Sequence, residues 1–179
     1  VQVSMAPRVA AGRRQRLALV TDAWHPQTNG VVNTLSRLVK HLESAGLEIL
    51  VVSPQGYRTI PFPSYPEVRI VCTPWRAVRP LRDFQPDAVH IATEGPLGLW
   101  IRGWMGRRRL SFTTSFHTRF PEYLSARAPV PLGFGYAIER WFHGRAERTL
   151  VGTKSLIREL EEKGVGRELV HWPGGVATE

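Results

Sequence analysis

Short apolar runs alternate with longer amphipathic stretches along this chain. The run "RLALVT" (Arg16 to Thr21) is apolar at every interior position, which predicts a strand buried on both faces. From Val31 the period changes. Val31, Val32, Leu35, Leu38, Val39 and Leu42 recur at steps of three and four, the rhythm of an amphipathic helix, and Gly46 is placed to end it. "LEILVVSP" returns to an apolar run and predicts a second strand. Pro54 and Gly56 then open "QGYRTIPFPSYPE", too rich in proline for a regular helix and read as loop. "VRIVC" predicts a third strand, "RAVRPLRDFQPD" a connector with a short helix, and "AVHIAT" (Ala88 to Thr93) a fourth strand. "PLGLWIRGWMGRR" predicts a helix carrying Trp100 and Trp104, and "SFTTSFH" a fifth strand. After a proline-broken loop, "RFPEYLSARAPVPLG", a helix over "FGYAIERWFHGRAERTL" runs into a short strand near "TLVGT". "KSLIRELEEKG" predicts a polar-faced helix ended by Gly164, and "ELVHWP" a last short strand. The alternation predicts an α/β fold: a doubly wound, mostly parallel sheet with helices on both faces.

Composition narrows the picture. The 179 residues suffice for one domain with a full core. Lys plus Arg outnumber Asp plus Glu by 24 to 15, a net charge of +9. Such a surface favours anionic partners, although scattered solvated charge gives the same total. The single cysteine, Cys72, excludes an internal disulfide and is read as a core thiol. The N-terminal "VQVSMAPRVAAGRRQR" has basic residues without an apolar core, so it reads as a flexible basic leader over 1–15, with Met5 a possible start. No apolar run approaches the roughly 18 residues that span a bilayer. The expected compartment is the cytoplasm, with peripheral contact at the inner face of the membrane.

In a doubly wound sheet, ligands gather beyond the carboxyl ends of the strands. Asn29 and Gly30 stand at the mouth of the first helix. Unpaired N–H groups there attract anions, and a glycine lets a phosphate approach the backbone; an N-cap and a turn residue would look the same. His117 closes the fifth strand, where an imidazole can donate to a hydroxyl or phosphate, or move a proton. Arg119 beside it is an anion partner or a surface charge. Glu94 follows the fourth strand and is read as a holder of a sugar hydroxyl, an orienter of His117, or a helix-start acid. The sequence lacks the G-x-G-x-x-G fingerprint, a Walker loop and a G-x-S-x-G elbow, and no carboxylate pair of the glycosidase kind is recognisable. Trp100, Trp104 and Trp141 read as packing residues; for Trp141 with Phe142, and for the basic run Arg107 to Arg109, a membrane interface is the second reading.

Together, "TDAWHPQTNGVVNTLSRLVKHLESAGLEILVVSP", "HIATEGPLG", "SFTTSFHTRFPEYL" and "ERTLVGTKSLIRELEEKG" resemble the N-terminal half of retaining GT-B glycosyltransferases of the family-four type. The nearest likeness is to GDP-mannose-dependent α-mannosyltransferase-like proteins. The resemblance covers roughly Arg16 to Val176 and implies a Rossmann-like, acceptor-side domain over 16–173. It implies that Asn29, Gly30 and Val31 form the loop against the donor diphosphate and sugar, and that His117 is the catalytic histidine of the cleft. Trp24, Gln27, Glu94, Thr118 and Arg119 are expected near the acceptor. The implied donor is a nucleotide diphosphate sugar, GDP-mannose by likeness; the acceptor is a lipid or glycan, and neither metal nor cofactor is needed. Retention in this family is described as front-face substitution, in which the departing diphosphate helps deprotonate the acceptor.

Two positions depart from the family's pattern: Gly174 and Ala177 stand where an Asn or Arg and an Asp are usual. This segment, 174–179, is expected to begin the crossing into a second domain that the chain lacks. Without that domain's diphosphate contacts, each worth about 1.5–3 kcal/mol, the chain alone is expected to be catalytically silent or nearly so. The competing reading is a non-catalytic binding module that kept the fold. A nucleic-acid binder would rest on charge alone, since no recognised motif supports it.

Overall fold

The computed structural model describes residues 13–62, 65–117 and 131–173. Six parallel strands form the main sheet: β1 (Arg16–Val20), β2 (Glu48–Val52), β5 (Ala88–Ile91), β6 (Thr113–Phe116), β7 (Thr149–Val151) and β8 (Leu169–His171). Their spatial order is β2-β1-β5-β6-β7-β8. Helix α1 (Gly30–Ser44) links β1 to β2, and a single 3₁₀ turn (Pro74–Ala77) leads into α2 (Val78–Phe84) before β5. Helix α3 (Pro96–Arg107) connects β5 to β6, α4 (Leu132–His143) precedes β7, and α5 (Lys154–Glu162) lies between β7 and β8.

The central apolar runs are buried on both faces, while the edge strands β2 and β8 are half-exposed. Ala18 and Val20 join Val52, Val89 and Ile91 under α2 and α3, where Leu81, Leu97, Ile101 and Met105 pack. Leu19 turns to the opposite face and meets Leu35 and Val39 of α1. Gly46 adopts φ +91 just past α1, a conformation that glycine supplies without a Cβ clash. At the far end Phe116 and Val151 pack with Tyr136 of α4 and Leu160 of α5.

The third strand foreseen at "VRIVC" does form, but outside the parallel sheet. It belongs to β4 (Tyr65–Val71), which pairs antiparallel with β3 (Thr59–Phe62), a segment read from sequence as loop. The two strands are too close in sequence for a parallel crossover, and Pro61 and Pro66 suit a two-stranded ribbon rather than a sheet interior. Cys72, at the end of this ribbon, is half-buried rather than a core thiol. Of the foreseen leader, Arg13 pairs with Asp87, and Gln15 accepts a hydrogen bond from the Glu48 N–H at 2.8 Å. Residues 1–12 lie outside the described part.

One buried side chain ties β5 to β6. His90 is 6% exposed, with Nδ1 2.8 Å from Thr113 Oγ1 and Nε2 2.8 Å from Ser115 Oγ. Burial, with His117 nearby, lowers its pKa to about 3. The unfolded chain therefore binds a proton that the folded chain refuses, and stability falls as pH drops below about 6.5. Replacing His90 with Gln is expected to flatten the stability slope between about pH 4 and 6 by one proton, about 1.4 kcal/mol per pH unit. Urea unfolding of both forms across that range measures the difference; equal slopes would show that His90 does not titrate on unfolding.

Candidate functional site

The sheet reverses direction at β1 and β5. The chain leaves β1 toward β2 on one side, and leaves β5 toward β6 on the other. Their following loops diverge and open a crevice at the switch point, where ligands bind in this architecture. A cleft of about 770 Å³ lies there, lined by residues from the ends of β1, β5 and β6.

Internal hydrogen bonds hold the long turn after β1. Thr21 Oγ1 donates to the Ala23 carbonyl at 3.0 Å and accepts the Ala23 N–H at 3.1 Å. Gln27, only 5% exposed, donates its N–H to the Trp24 carbonyl at 3.1 Å. Asn29 Oδ1 accepts the Val32 N–H at 3.0 Å and caps α1. The turn therefore presents a fixed helix N-terminus to the cleft.

Three glycines border this region for different reasons. A Cβ on Gly95 would lie 2.3 Å from Asp22 Cγ, and one on Gly98 would lie 1.9 Å from the Thr93 carbonyl oxygen. Both are needed for packing. A Cβ on Gly30 would meet nothing within 4 Å, and Gly30 is not among the positive-φ residues. Neither conformation nor packing requires glycine there, yet Gly30 lines the cleft.

Asp22 decides which helix end stays open. Its carboxylate accepts the Leu97 and Gly98 N–H groups at 2.9 and 3.1 Å, and so caps α3 from across the switch point. Burial raises its pKa to about 6, against the lowering effect of these backbone hydrogen bonds. An anion entering the cleft meets a carboxylate at α3, but N–H groups at α1. The sequence places Asp22 among the residues just after a strand but gives it no role, because an acid there carries no mark of a partner so distant along the chain.

His117 lines the same cleft. Its Nε2 is buried and has no hydrogen-bond partner among the described residues. Its ring stands edge-on to Trp172 with centroids 6.2 Å apart. Burial lowers its pKa, Glu94 pulls it upward and His143 adds to the lowering. The side chain is thus a neutral imidazole with a buried nitrogen to offer.

Glu94 lines the cleft and also enters a buried ionic cluster. His143 Nε2 is 3.0 Å from Glu139 Oε2 and 3.5 Å from Glu94 Oε1, while its Nδ1 is 2.8 Å from Thr114 Oγ1. Burial opposes charging His143, but Glu139 and Glu94 outweigh it and raise its pKa. Among the described residues, Glu94, Glu139 and His143 also form the group whose ligand atoms, within 4.8 Å of one another, could hold a metal ion. The raised proton affinity favours an imidazolium that pairs with both carboxylates. Neither Glu139 nor His143 is singled out by sequence, since both fit the ordinary spacing of an amphipathic helix.

The remaining expected residues divide. Gln27, Asn29, Gly30, Val31 and Glu94 border the cleft with His117. Trp24 packs instead against Leu19, Leu35 and Val39 beneath α1. Thr118, Arg119, Gly174 and Ala177 lie outside the described residues. Of the helical tryptophans, only Trp104 packs against the core. Trp100 is 40% and Trp141 47% exposed, contrary to the packing role read from sequence. The Trp141 ring lies 3.7 Å from the guanidinium carbon of Arg102, which also donates to the carbonyls of Trp141 and Phe142 at the end of α4. This stacking holds the Trp141 ring at the surface instead of in the core.

The sequence pattern of Glycosyltransferase Family 4 matches residues 28–179. The chain belongs to this family. The chain is 31% identical to a GDP-mannose-dependent alpha-mannosyltransferase of Mycobacterium tuberculosis, over 90% of this chain and 47% of that protein. Its identity to a protein of the same description from Corynebacterium glutamicum is 26%, over 92% of this chain and 44% of that one. An alpha-monoglucosyldiacylglycerol synthase of Acholeplasma laidlawii is 29% identical over 60% of this chain and 31% of its own length. The domain thus spans about half the length of the mannosyltransferase relatives it matches. Among the described residues, no helix is long and apolar enough to cross a membrane.

Proposed function

We propose that this domain forms the acceptor-side half of a retaining glycosyltransferase that moves mannose from GDP-mannose to a lipid or glycan acceptor. One observation carries the reading: Gly30 and His117 border a single cleft, and the Cβ position of Gly30 opens onto empty space. The donor diphosphate rests against the first turn of α1, where Gly30 lets it approach the N–H groups. Asp22 denies it the equivalent place on α3. His117 donates from its neutral ring to the transferred sugar. The departing diphosphate takes the acceptor proton on the same face, so no protein nucleophile and no metal are required.

The GDP-mannose-dependent relatives support the choice of sugar and nucleotide. The 179 residues alone hold the donor loosely and do not turn over detectably, because the match covers less than half of each relative. The protein works in the cytoplasm with peripheral contact at an anionic membrane face. The exposed Trp75 and Trp100 rings, 6.1 Å apart at the surface, support that contact. The test is turnover in a polypeptide of the relatives' full length that carries this chain. GDP release from GDP-mannose is expected with a lipid or glycan acceptor, and His117→Ala should lower it by about tenfold or more. Unchanged turnover in that variant would remove His117 from the mechanism.

A further inference from the structure

We propose that a cavity at the end of the sheet opposite the cleft binds a medium-chain fatty acid, with the alkyl chain inside and the carboxylate among the arginines at its mouth. The cavity occupies about 260 Å³ between α2, α3 and the amino ends of β5 and β6. The cleft lies at the carboxyl ends of the strands, so the two spaces share no lining residue and this inference stands apart from the donor reading.

The interior suits a hydrocarbon chain. Buried Leu81, Val89 and Met105 line the inner part, with the half-buried Trp104 ring beside them. Leu110, 45% exposed, marks the mouth. An apolar cavity of roughly 150 Å³ holds six-carbon benzene, so one of about 260 Å³ holds a chain of roughly ten carbons. Burying that chain supplies the affinity, in proportion to the methylenes taken out of water.

The mouth supplies the charge. Leu110 directly follows Arg107, Arg108 and Arg109, all exposed. The Arg108 guanidinium carbon stands 4.9 Å from the centroid of the Trp104 ring, which holds one positive charge against the cavity wall. Arg109 has φ +55, in the left-handed region where a helix commonly ends on glycine. Its N–H donates to the Gly106 carbonyl at 3.3 Å, and that of Leu110 to the Met105 carbonyl at 3.0 Å, so the backbone closes α3 as a glycine would. The arginine is present despite that backbone cost, and a carboxylate at the mouth offers its guanidinium a charge-assisted hydrogen bond. Asp87 also lines the cavity, but Arg13 pairs with it and the Arg16 N–H donates to it at 2.9 Å, so its negative charge is already met. A fatty acid joins the two features that the cavity offers: a chain for the apolar interior and an anion for the basic rim.

NMR titration of the isotope-labelled chain with decanoate, kept below the concentration at which it forms micelles, tests this. The Trp104 indole N–H, the Met105 methyl and the Leu110 amide should shift along one saturation curve, while the Gly30 amide and the His117 ring stay nearly still. Octanoate should bind about tenfold to twentyfold more weakly, since each methylene lost from the cavity lowers affinity about fourfold. Raised salt should weaken the binding of decanoate and spare that of decanol. Arg109→Gly separates recognition from folding: decanoate affinity should fall about threefold or more, while the melting temperature stays or rises, because glycine suits φ +55. Ser111→Leu, which places a bulkier side chain in the cavity from an exposed position on its lining, should lower decanoate affinity by about tenfold or more. Absence of a saturable shift with decanoate, equal affinity for octanoate, an equal salt response of decanol, or binding that ignores both variants would overturn the proposal. Shifts of the same residues on raising the protein concentration alone would assign the cavity to a second copy of the chain, and would overturn it as well.

Discussion

Replacing His143 with Gln is expected to destabilise the domain by about 3–5 kcal/mol, the usual result of removing one partner from a buried ionic pair. Glu139 and His143 are both fully buried, and Glu94 is 9% exposed. Without the imidazolium, the Glu94 and Glu139 carboxylates face each other in a poorly solvated space. The pH dependence gives a signature that simple loss of packing would lack. The folded pKa of His143 is raised, so its contribution is fully present below about pH 6.5 and fades as pH rises through the folded value. The deficit should therefore be full below about pH 6.5 and shrink as pH rises. Urea unfolding at about pH 5, 6.5 and 8.5 measures it; a deficit independent of pH would mean that His143 is neutral in the folded protein.

Gly30→Val is expected to weaken GDP or pyrophosphate binding by roughly tenfold to a hundredfold, the loss of one charge-assisted hydrogen bond or a little less than two. The same substitution should leave stability within about 1 kcal/mol, because a helix tolerates valine at least as well as glycine. The structure supplies both halves of this expectation. Space around the missing Cβ is open, so no neighbour is displaced, and that space is part of the cleft. Gly95→Ala makes the contrasting control, since its Cβ would press on Asp22. A Gly30→Val protein that melts early, or that binds pyrophosphate normally, would return Gly30 to the role of a turn residue.

The parallel strands were legible because a strand buried on both faces must be apolar throughout, as "LALV" and "ILVV" are. Helix α1 was legible because one face meets the core and the other meets water. Of the β3–β4 ribbon, β4 was legible at "VRIVC" but β3 was not, because Pro61 and Pro63 argue against regular structure wherever sheet context is unknown. Asn29, Gly30 and His117 could be singled out because strand ends and helix starts are where this architecture binds. Asp22, His143 and Arg102 could not. Each acts on a partner far away in sequence: Asp22 on the N-terminus of α3, His143 on Glu94, and Arg102 on the end of α4. Periodicity records which face a residue occupies, and says nothing about which distant atom its polar end meets.

The central claim is that one donor lies across the N-terminus of α1 and the imidazole of His117. Titration of the ¹⁵N-labelled chain with GDP-mannose, followed by NMR, tests it most directly. The Gly30 and Val31 amides and the His117 ring should shift together along one saturation curve, while Leu97 and Gly98, whose N–H groups are held by Asp22, stay nearly still. Shifts centred on Leu97 and Gly98, or on Gly30 and His117 with unrelated midpoints, would contradict it.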